Sequence, residues 1–326
     1  MMSQNHAARP ASSVTPTPSL PPVPRGYAAE VDHGFESDRA RLKGLRGHIK
    51  KLEATLGKLS ASSPLVSDTT TLTQEIKCLR AEVETAQMQL VPWHHDEQLL
   101  SPKSLLCTPL FGIARSGRRR EKVEMTIPHT AACELTYQGP ELRQSDGLVF
   151  MALLHLAQDF KPGRLVFFSP VELLQSLGIK YAGGSVRHHL QETIQRMQES
   201  FLKGPDFRVQ LVGFFHYPPY GDWFIRLDEK VTQLFAGVQA IWMDRRLRTE
   251  LPPGLATWLL GYVRSQSILN PTSLTLLQSR CGSQAKPKNF AASLREALSI
   301  LEHNQVVEPG WQVVKGKVTW KKGDNG

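Results

Sequence analysis

The sequence predicts an α+β fold with two tandem winged-helix domains, preceded by a helical hairpin or coiled coil and a disordered N-terminal tail. Three observations predict it. After about residue 105, helices and strands ending in a β-hairpin occur twice in the same order; two leucine-rich heptad runs precede them; and a Pro- and Ser-rich segment comes first. We therefore divide the chain into residues 1–38, 39–98, 99–242 and 243–326.

The N-terminal segment is low in sequence complexity. Residues 10–24 read PASSVTPTPSLPPVP, and residues 1–38 show no apolar periodicity. A segment of this composition cannot bury enough apolar surface to offset the entropy of ordering. The sequence predicts an extended, disordered tail.

Two runs of apolar residues follow the 3,4 spacing of an a/d heptad seam. The runs are Leu42, Leu45, Ile49, Leu52, Leu56 and Leu59, and then Leu72, Ile76, Leu79, Val83, Ala86 and Leu90. Residues 60–64 (SASSP) separate them. An antiparallel hairpin within one chain and a dimerising coiled coil both satisfy this pattern. The similar lengths of the two runs and the loop between them favour the hairpin.

The next segment has the element order of a helix-turn-helix backed by a hairpin. Ser169 and Glu172 predict a capping box with Pro170 at the first helical position. The predicted elements are a strand at 133–138, a helix at 144–159, a strand at 164–168, a short helix from 170, a long helix from 186 to about 202, and strands at 208–215 and 223–227. The hairpin makes a winged helix the favoured interpretation.

The C-terminal segment repeats that order in a shorter form. We predict helices at 253–265, 271–280 and 287–303 and a hairpin within 306–320, turning near Lys315-Gly316-Lys317. Two such modules in one chain would span two successive segments of the DNA major groove.

The positive charge is confined to the part of the chain that holds these modules. The formal net charge is +9; residues 1–100 carry 11 basic and 11 acidic side chains, whereas residues 101–326 carry 28 and 19. An excess of this kind favours a polyanionic partner, here double-stranded DNA, although a basic pI also serves solubility.

The second long helix carries the candidate base-reading residues. Its core face is formed by Phe290, Leu294, Leu298 and Leu301. The opposite face, with the preceding turn, presents Lys286, Lys288, Asn289, Ser293 and Arg295. Asn pairs bidentately with adenine, and Arg or Lys with guanine. An ordinary solvated helix face is the alternative. The wing lysines Lys315, Lys317, Lys321 and Lys322 suit phosphate contacts, while Trp311 and Trp320 are expected to pack beneath the hairpin.

Two further groups are weaker DNA-binding candidates. In the first module, Arg187, His188, Gln191 and Gln195 lie off the core stripe of the long helix. A basic run of Arg115, Arg118, Arg119, Arg120 and Lys122 precedes the predicted strand at 133–138 and would grip phosphates as a flexible arm. Plain solvated surface is the alternative for both groups.

Catalytic and metal-binding patterns are lacking in the sequence. The four cysteines form no C-x-x-C pair, no phosphate-binding loop or nucleophile elbow occurs, and the carboxylates are scattered. We expect no enzyme activity, no cofactor and no metal. No apolar run reaches the ~18 residues of a membrane span, and no secretory signal is present, so we expect a cytosolic protein.

Several motifs from about residue 105 to the end resemble the TrfA family of plasmid replication initiators. They are LTYQGPELR at 135–143, VTQLFAG at 231–237 followed by Ile241-Trp242, and the final helix-turn-helix. The resemblance implies binding to direct repeats (iterons) at an origin, a dimer that dissociates to an active monomer, strand opening, and recruitment of host replication proteins, including the host initiator and the replicative helicase. The heptad runs have no counterpart in this resemblance.

The family also carries a sliding-clamp motif of the form Gln-Leu-Ser-Leu-Phe ahead of its first winged helix. The corresponding residues here are Gln89, Leu90 and Trp93, with Val91 and Pro92 departing from the pattern. A helix end with a packed Trp is the alternative. Two other functions fit the whole sequence: a winged-helix transcriptional repressor, and a coiled-coil interaction protein whose basic domains bind an acidic protein.

Overall fold

A computed structural model describes residues 38–326, except 63–65, 89–90, 93–94, 115–116, 132, 180–182 and 237. By its contacts the chain divides into Met1–Glu36 and Ser37–Gly326, and every element below belongs to the second unit. Residues 1–37 of the predicted tail lie outside the described residues.

Two long helices open the described chain: α1 (Asp38–Ser62) and α2 (Val66–Met88). They run antiparallel, because Arg41 near the start of α1 pairs with Glu82 near the end of α2 at 3.1 Å. Leu42, Ile49 and Ile76 are buried between them, at positions of the predicted heptad seam. The ion pairs along the seam are exposed and each stabilises by about 0–1 kcal/mol, so apolar packing holds the pair.

The part of the chain that follows contains helices and several sheets, all antiparallel except for one short parallel pair. Its elements are β1 (Gln98–Pro102), α3 (Lys103–Leu106), β2 (Phe111–Gly112), β3 (Val123–Thr130), β4 (Cys133–Gly139), β5 (Leu142–Arg143), α4 (Gln144–Ala157), β6 (Leu165–Phe168), α5 (Pro170–Ser176), α6 (Gly184–Gln198), β7 (Phe201–Lys203), β8 (Arg208–Gln210), β9 (Phe214–His216), β10 (Trp223–Arg226), a 3₁₀ helix (Val231–Phe235) and β11 (Ala240–Asp244). Strands β3-β4-β7-β8 form one sheet, β6-β10-β9 a second, and β1 pairs with β11. Phe150, Leu153, Ile194 and Leu202 are fully buried in the core that they share.

The remaining chain forms a second core. Its elements are α7 (Arg245–Glu250), α8 (Leu255–Ser265), β12 (Thr272–Ser273), α9 (Leu274–Arg280), α10 (Pro287–His303), β13 (Gln312–Val314) and β14 (Lys317–Thr319). The strands form a sheet in the order β12-β14-β13. Leu259, Leu277, Leu294 and Trp320 are buried beneath it, 0–4% exposed.

The two cores repeat one topology. Each has a helix (α4, α8), a strand, two further helices and a hairpin, and in each three-stranded sheet the last strand lies in the centre. Local sequence explains the matching helix starts. Ser169 accepts a hydrogen bond from the Glu172 amide, and Ser273 accepts one from the Leu276 amide, so a hydroxyl caps α5 and α9 alike.

The structure corrects two predicted elements. The strand predicted at 208–215 is two strands in different sheets, because residues 211–213 cross from the four-stranded sheet to the sheet of β10, with the Gly213 amide bonded to the Arg226 carbonyl at 2.9 Å. The helix predicted to reach residue 202 ends at Gln198, and Phe201–Lys203 joins the sheet of β4 instead. The apolar sequences of both segments are compatible with the predicted and with the observed structure. Contacts with residues far along the chain therefore determine which structure forms.

Candidate nucleic-acid interface

Helix α10 has one buried face and one exposed face. Phe290, Leu294, Leu298 and Leu301 are buried, 0–1% exposed, against α8 and its neighbours. The predicted base-reading residues are all exposed to solvent: Lys286, Lys288, Asn289, Ser293 and Arg295. Apolar burial therefore turns the polar half of the helix outward and leaves its N-terminal turns accessible.

A turn with several internal restraints sets the position of α10. Gly282, after α9, has φ +70°, a left-handed conformation that favours glycine. The Gln278 side-chain amide donates to the Ala285 carbonyl at 2.6 Å, and Pro287 occupies the first turn of α10. The turn between the two helices is thus held by the chain itself, before any ligand binds.

The β13–β14 hairpin is fastened to α10. The Trp311 indole donates to a Glu302 carboxylate oxygen at 2.7 Å near the end of the helix. Lys315 and Gly316 form the two-residue turn, both with positive φ, and Lys315 and Lys317 are exposed there. Trp320 is buried and donates to the Asn270 carbonyl, in line with its predicted packing role. The hairpin also contacts the exposed face of α10, because Arg295 donates a hydrogen bond to the Val313 carbonyl.

The corresponding helix of the first core, α6, offers a less accessible set of side chains. The Arg187 guanidinium lies 5.7 Å from the Trp223 ring centre. The Gln195 amide donates to the Tyr217 hydroxyl at 3.0 Å, and His188 lies 3.4 Å from the Glu192 carboxylate. Within the described part of the chain, Gln191 alone of the four predicted residues makes no such side-chain contact. DNA binding through α6 would require these side chains to change partners.

Two of the arginines in the basic run form ion pairs with residues of the first core. Asp146 is fully buried, and its carboxylate receives Arg119 at 2.6 Å and Arg196 at 2.8 Å. Arg120 pairs with Glu141 at 3.1 Å. Burial raises the pKa of Glu141, but hydrogen bonds from Arg143 and Arg120 outweigh it and hold that pKa below its ordinary value. Arg119 is thus held at a buried carboxylate, which does not fit the expected flexible arm, whereas the Arg120 side chain stays 66% exposed in its ion pair.

Arg118 pairs with Glu121, and both side chains are more than 80% exposed, so Arg118 is the most accessible arginine of the three. Arg115 lies outside the described residues, as do Gln89, Leu90 and Trp93 of the predicted clamp contact.

An aromatic face that sequence reasoning missed lies on the outer side of the β6-β10-β9 sheet. Phe167, Phe214 and His216 surround Phe224 with ring centres 4.7–6.2 Å apart, and the Arg226 guanidinium lies 5.7 Å from the Phe214 ring. Phe167 and Phe214 keep 41% and 37% of their surface exposed. The segments FFH (214–216) and WFIR (223–226) place successive side chains on opposite faces of the sheet, so adjacent aromatic residues are the sequence signal for an aromatic outer face.

Within the described part of the chain, no group of three or more His, Cys, Asp and Glu side chains is placed to hold a metal ion. The same residues contain no helix that is both long and apolar enough to cross a bilayer. The described residues present the exposed N-terminal turns of α10, with Lys, Asn and Arg side chains, beside the lysine-bearing β13–β14 hairpin.

These features are those of a DNA-binding protein, and the comparisons narrow the class to plasmid replication initiators. The chain belongs to the TrfA family, whose model, described as TrfA protein, matches residues 57–321. The match begins well before residue 105, so it takes in α2 and the end of α1, which the sequence motifs alone did not connect with the family.

Two crystal structures of domains 2 and 3 of RctB are similar to this chain. One shares 16% identity with this chain, and the match covers 69% of this chain and 99% of the RctB chain, with a TM-score of 0.46. The other shares 12% identity and covers 66% and 95%, with a TM-score of 0.41. No curated protein matches the sequence.

Proposed function

We propose that this chain initiates plasmid replication by binding direct repeats at the origin through two winged-helix modules, after which it promotes strand opening and recruits host replication proteins. The main support is the exposed face of α10 with Lys288, Asn289 and Arg295, which contacts the lysine-bearing β13–β14 hairpin through Arg295. Binding to origin DNA follows from membership of the family. Binding to direct repeats and recruitment of host proteins are proposed in addition.

The repeated topology supports the two winged helices. In each core a short helix (α5, α9) precedes a longer one (α6, α10), and a hairpin follows. That is the arrangement in which a recognition helix enters the major groove and a wing contacts the backbone. We assign α10 and α6 as the two recognition helices, and the β13–β14 and β9–β10 hairpins as the two wings. In the predicted segment 39–98, helices α1 and α2 then precede the first module, whereas Val91 and Gln98 already belong to that module.

The two modules would contribute differently to affinity. Asn289 and Arg295 on α10 supply base-specific donors and acceptors, and Lys315 and Lys317 supply phosphate contacts. On α6 the available groups are Arg187, His188, Gln191 and Gln195, three of which already contact their own chain. Every candidate residue of α10 is exposed, whereas Arg187, Gln191 and Gln195 of α6 are half-buried. The second module would therefore carry most of the sequence preference, and the first would mainly add affinity.

The remaining partners rest on the family resemblance. They are the host initiator, the replicative helicase, the sliding clamp through Gln89, Leu90 and Trp93, and a second copy of the chain in a dimer that dissociates before initiation. The setting would be the bacterial cytoplasm, with the protein bound to its plasmid.

A gel-shift titration tests the proposal. The purified chain is mixed with fragments of its own replicon at two salt concentrations, with unrelated competitor DNA. A ladder of discrete shifted species on one repeat-containing fragment is expected. A single shifted species on a promoter without repeats would favour a repressor. Weak binding to every fragment, lost at the higher salt, would contradict the proposal and direct attention to a protein partner of α1 and α2.

Variants locate the specific contacts. Asn289→Ala should reduce the preference for the repeat over competitor DNA by about 1–3 kcal/mol, the value of one bidentate base contact. Gln74→Ala is the matched control, because Gln74 is also an exposed amide on a helix but lies on α2. Equal losses for both variants would show that Asn289 reads no base.

A further inference from the structure

Residues 103–112, which we call the strap, run between the two cores. The strap comprises α3, the turn after it and β2. Leu105, Thr108, Leu110 and Phe111 are buried, 1–5% exposed, although a connecting segment of this kind ordinarily lies on the surface. The strap is therefore part of the interior rather than a solvated linker.

One side of the strap is bound to α8 of the second core. The Trp258 indole donates to the Thr108 carbonyl at 3.1 Å, with both residues buried. The Cys107 sulfur lies 2.7 Å from the Ser265 hydroxyl oxygen. Between these contacts Leu106 covers Gly261, where an added Cβ would lie 3.1 Å from the leucine Cδ2. The glycine lets α8 approach the strap closely.

The other side of the strap is bound to the first core. β2 pairs in parallel with β5, and the Gln144 side chain at the start of α4 donates to the Phe111 carbonyl at 2.5 Å. The Phe111 ring rests on Gly147, where an added Cβ would lie 2.8 Å from the ring. Because a Cβ so placed would clash with a rigid ring, Gly147 is required for this contact.

Arg248 in α7 closes the same interface. Its guanidinium is fully enclosed and donates to the backbone and side-chain oxygens of Gln144 at 3.0 and 3.1 Å. Burial lowers the pKa of Arg248 to about 10. The cavity among Phe111, Gln144, Arg248 and Trp258 measures only ≈ 10 Å³, at the lower limit for a single water molecule. The junction is packed and leaves little room for one core to rotate against the other.

We infer that the strap fixes the separation and rotational phase of α6 and α10, so that the protein accepts only one spacing between the two DNA segments it contacts. This inference rests on the proposed function, in which both modules bind DNA. Trp258, Gly261 and Gly147 are then positioning residues: they touch no DNA but determine where the recognition helices meet it. One added base pair rotates the second segment by about 34° and moves it by about 3.4 Å, which a rigid pair of modules cannot follow.

The test uses the full chain and the repeat fragment. Hydroxyl-radical footprinting of the wild-type complex defines the two protected segments, and one, two or five base pairs are inserted between them. Wild-type affinity should fall at least tenfold with one inserted pair. Trp258→Phe removes the indole donor but keeps a ring, and Gly261→Leu forces Leu106 away. Both should weaken binding to the original fragment and reduce the loss on insertion to less than threefold.

Gly57→Leu is the control, because a Cβ at Gly57 on α1 meets nothing within 4 Å and the glycine lies away from the strap. It should keep the wild-type spacing preference. Should Gly261→Leu fail to fold by circular dichroism, Trp258→Phe alone decides. Equal wild-type binding at every spacing, or an unchanged preference in Trp258→Phe, would overturn the inference while leaving the proposed function intact. Absence of a specific wild-type shift on the original fragment would instead remove the proposed function itself.

Discussion

The Arg295 guanidinium on α10 donates a hydrogen bond to the Val313 carbonyl in β13, at an Nη2–O distance of 3.3 Å. It also lies 3.4 Å from the Ala291 carbonyl, one turn earlier on its own helix. A side chain predicted to read bases is therefore already oriented between the helix and the hairpin while remaining exposed.

Arg295→Ala should lower affinity for the specific DNA about 5- to 150-fold, the range of one bidentate contact, with a smaller loss on competitor DNA. Arg295→Lys keeps the charge but lacks the planar fork, so it should recover competitor binding more fully than specific binding. Competitive gel shifts measure both. A proportional loss on both DNAs in Arg295→Ala would show that Arg295 contributes charge alone.

Lys317→Ala should weaken binding to all DNA sequences alike. Lys317 is exposed at the end of the β13–β14 turn, where an ammonium can approach a phosphate. Losing one phosphate contact reduces the slope of log affinity against log salt by about 1. Lys77→Ala, which removes the same charge from the exposed face of α2, is the control. A change in sequence preference in Lys317→Ala would argue for a base contact.

Asp146→Asn should destabilise the fold by about 3–5 kcal/mol, because it leaves Arg119 and Arg196 without their buried anion. Urea unfolding followed by circular dichroism measures the change. Glu121→Gln breaks the exposed pair with Arg118 and should cost at most about 1 kcal/mol. Similar small losses in both variants would mean that the buried ion pairs are dispensable.

Tyr137 should make stability fall at high pH. Burial raises its pKa to about 12 from the ordinary tyrosine value of 10.0, against the opposing hydrogen bond with Ser200. A raised folded-state pKa adds stability that is fully present below about pH 10 and is lost as the pH rises through about 12. Wild type should lose roughly 2–3 kcal/mol more than Tyr137→Phe across that window, as measured by chemical unfolding. Parallel curves for the two proteins would contradict the assignment.

The elements that the sequence predicted best are those specified by neighbouring residues. Helix α10 spans Pro287–His303, as predicted, because Pro287 sets its start and the apolar stripe from Phe290 to Leu301 sets its length. α9 and the two-residue turn of the last hairpin were predictable for the same reason. In the candidate site, the exposed α10 face followed directly from the side of the helix opposite that stripe.

The parts that could not be predicted depend on distant partners. β1 is a strand only because it pairs with β11, about 140 residues later, and no residue near Gln98 indicates a strand there. Arg119 resembles any solvated arginine until Asp146, 27 residues away, is placed beside it. Likewise, the partners of Arg187 and Gln195 come from the first hairpin. The spacing of residues along the sequence does not predict these contacts.

The pairing of β1 with β11 also makes the intervening chain a closed loop whose two ends lie side by side, from Gln98 beside Asp244 to Pro102 beside Ala240. A fragment cut inside either strand would expose the hydrogen-bonding edge of the other and invite aggregation. A fragment that keeps both strands avoids that exposed edge, but ending it after Asp244 would also remove Arg248 and Trp258 from their buried contacts with Gln144 and Thr108. Any shortened form of this protein should therefore keep β1, β11 and the second core together and be cut before Gln98.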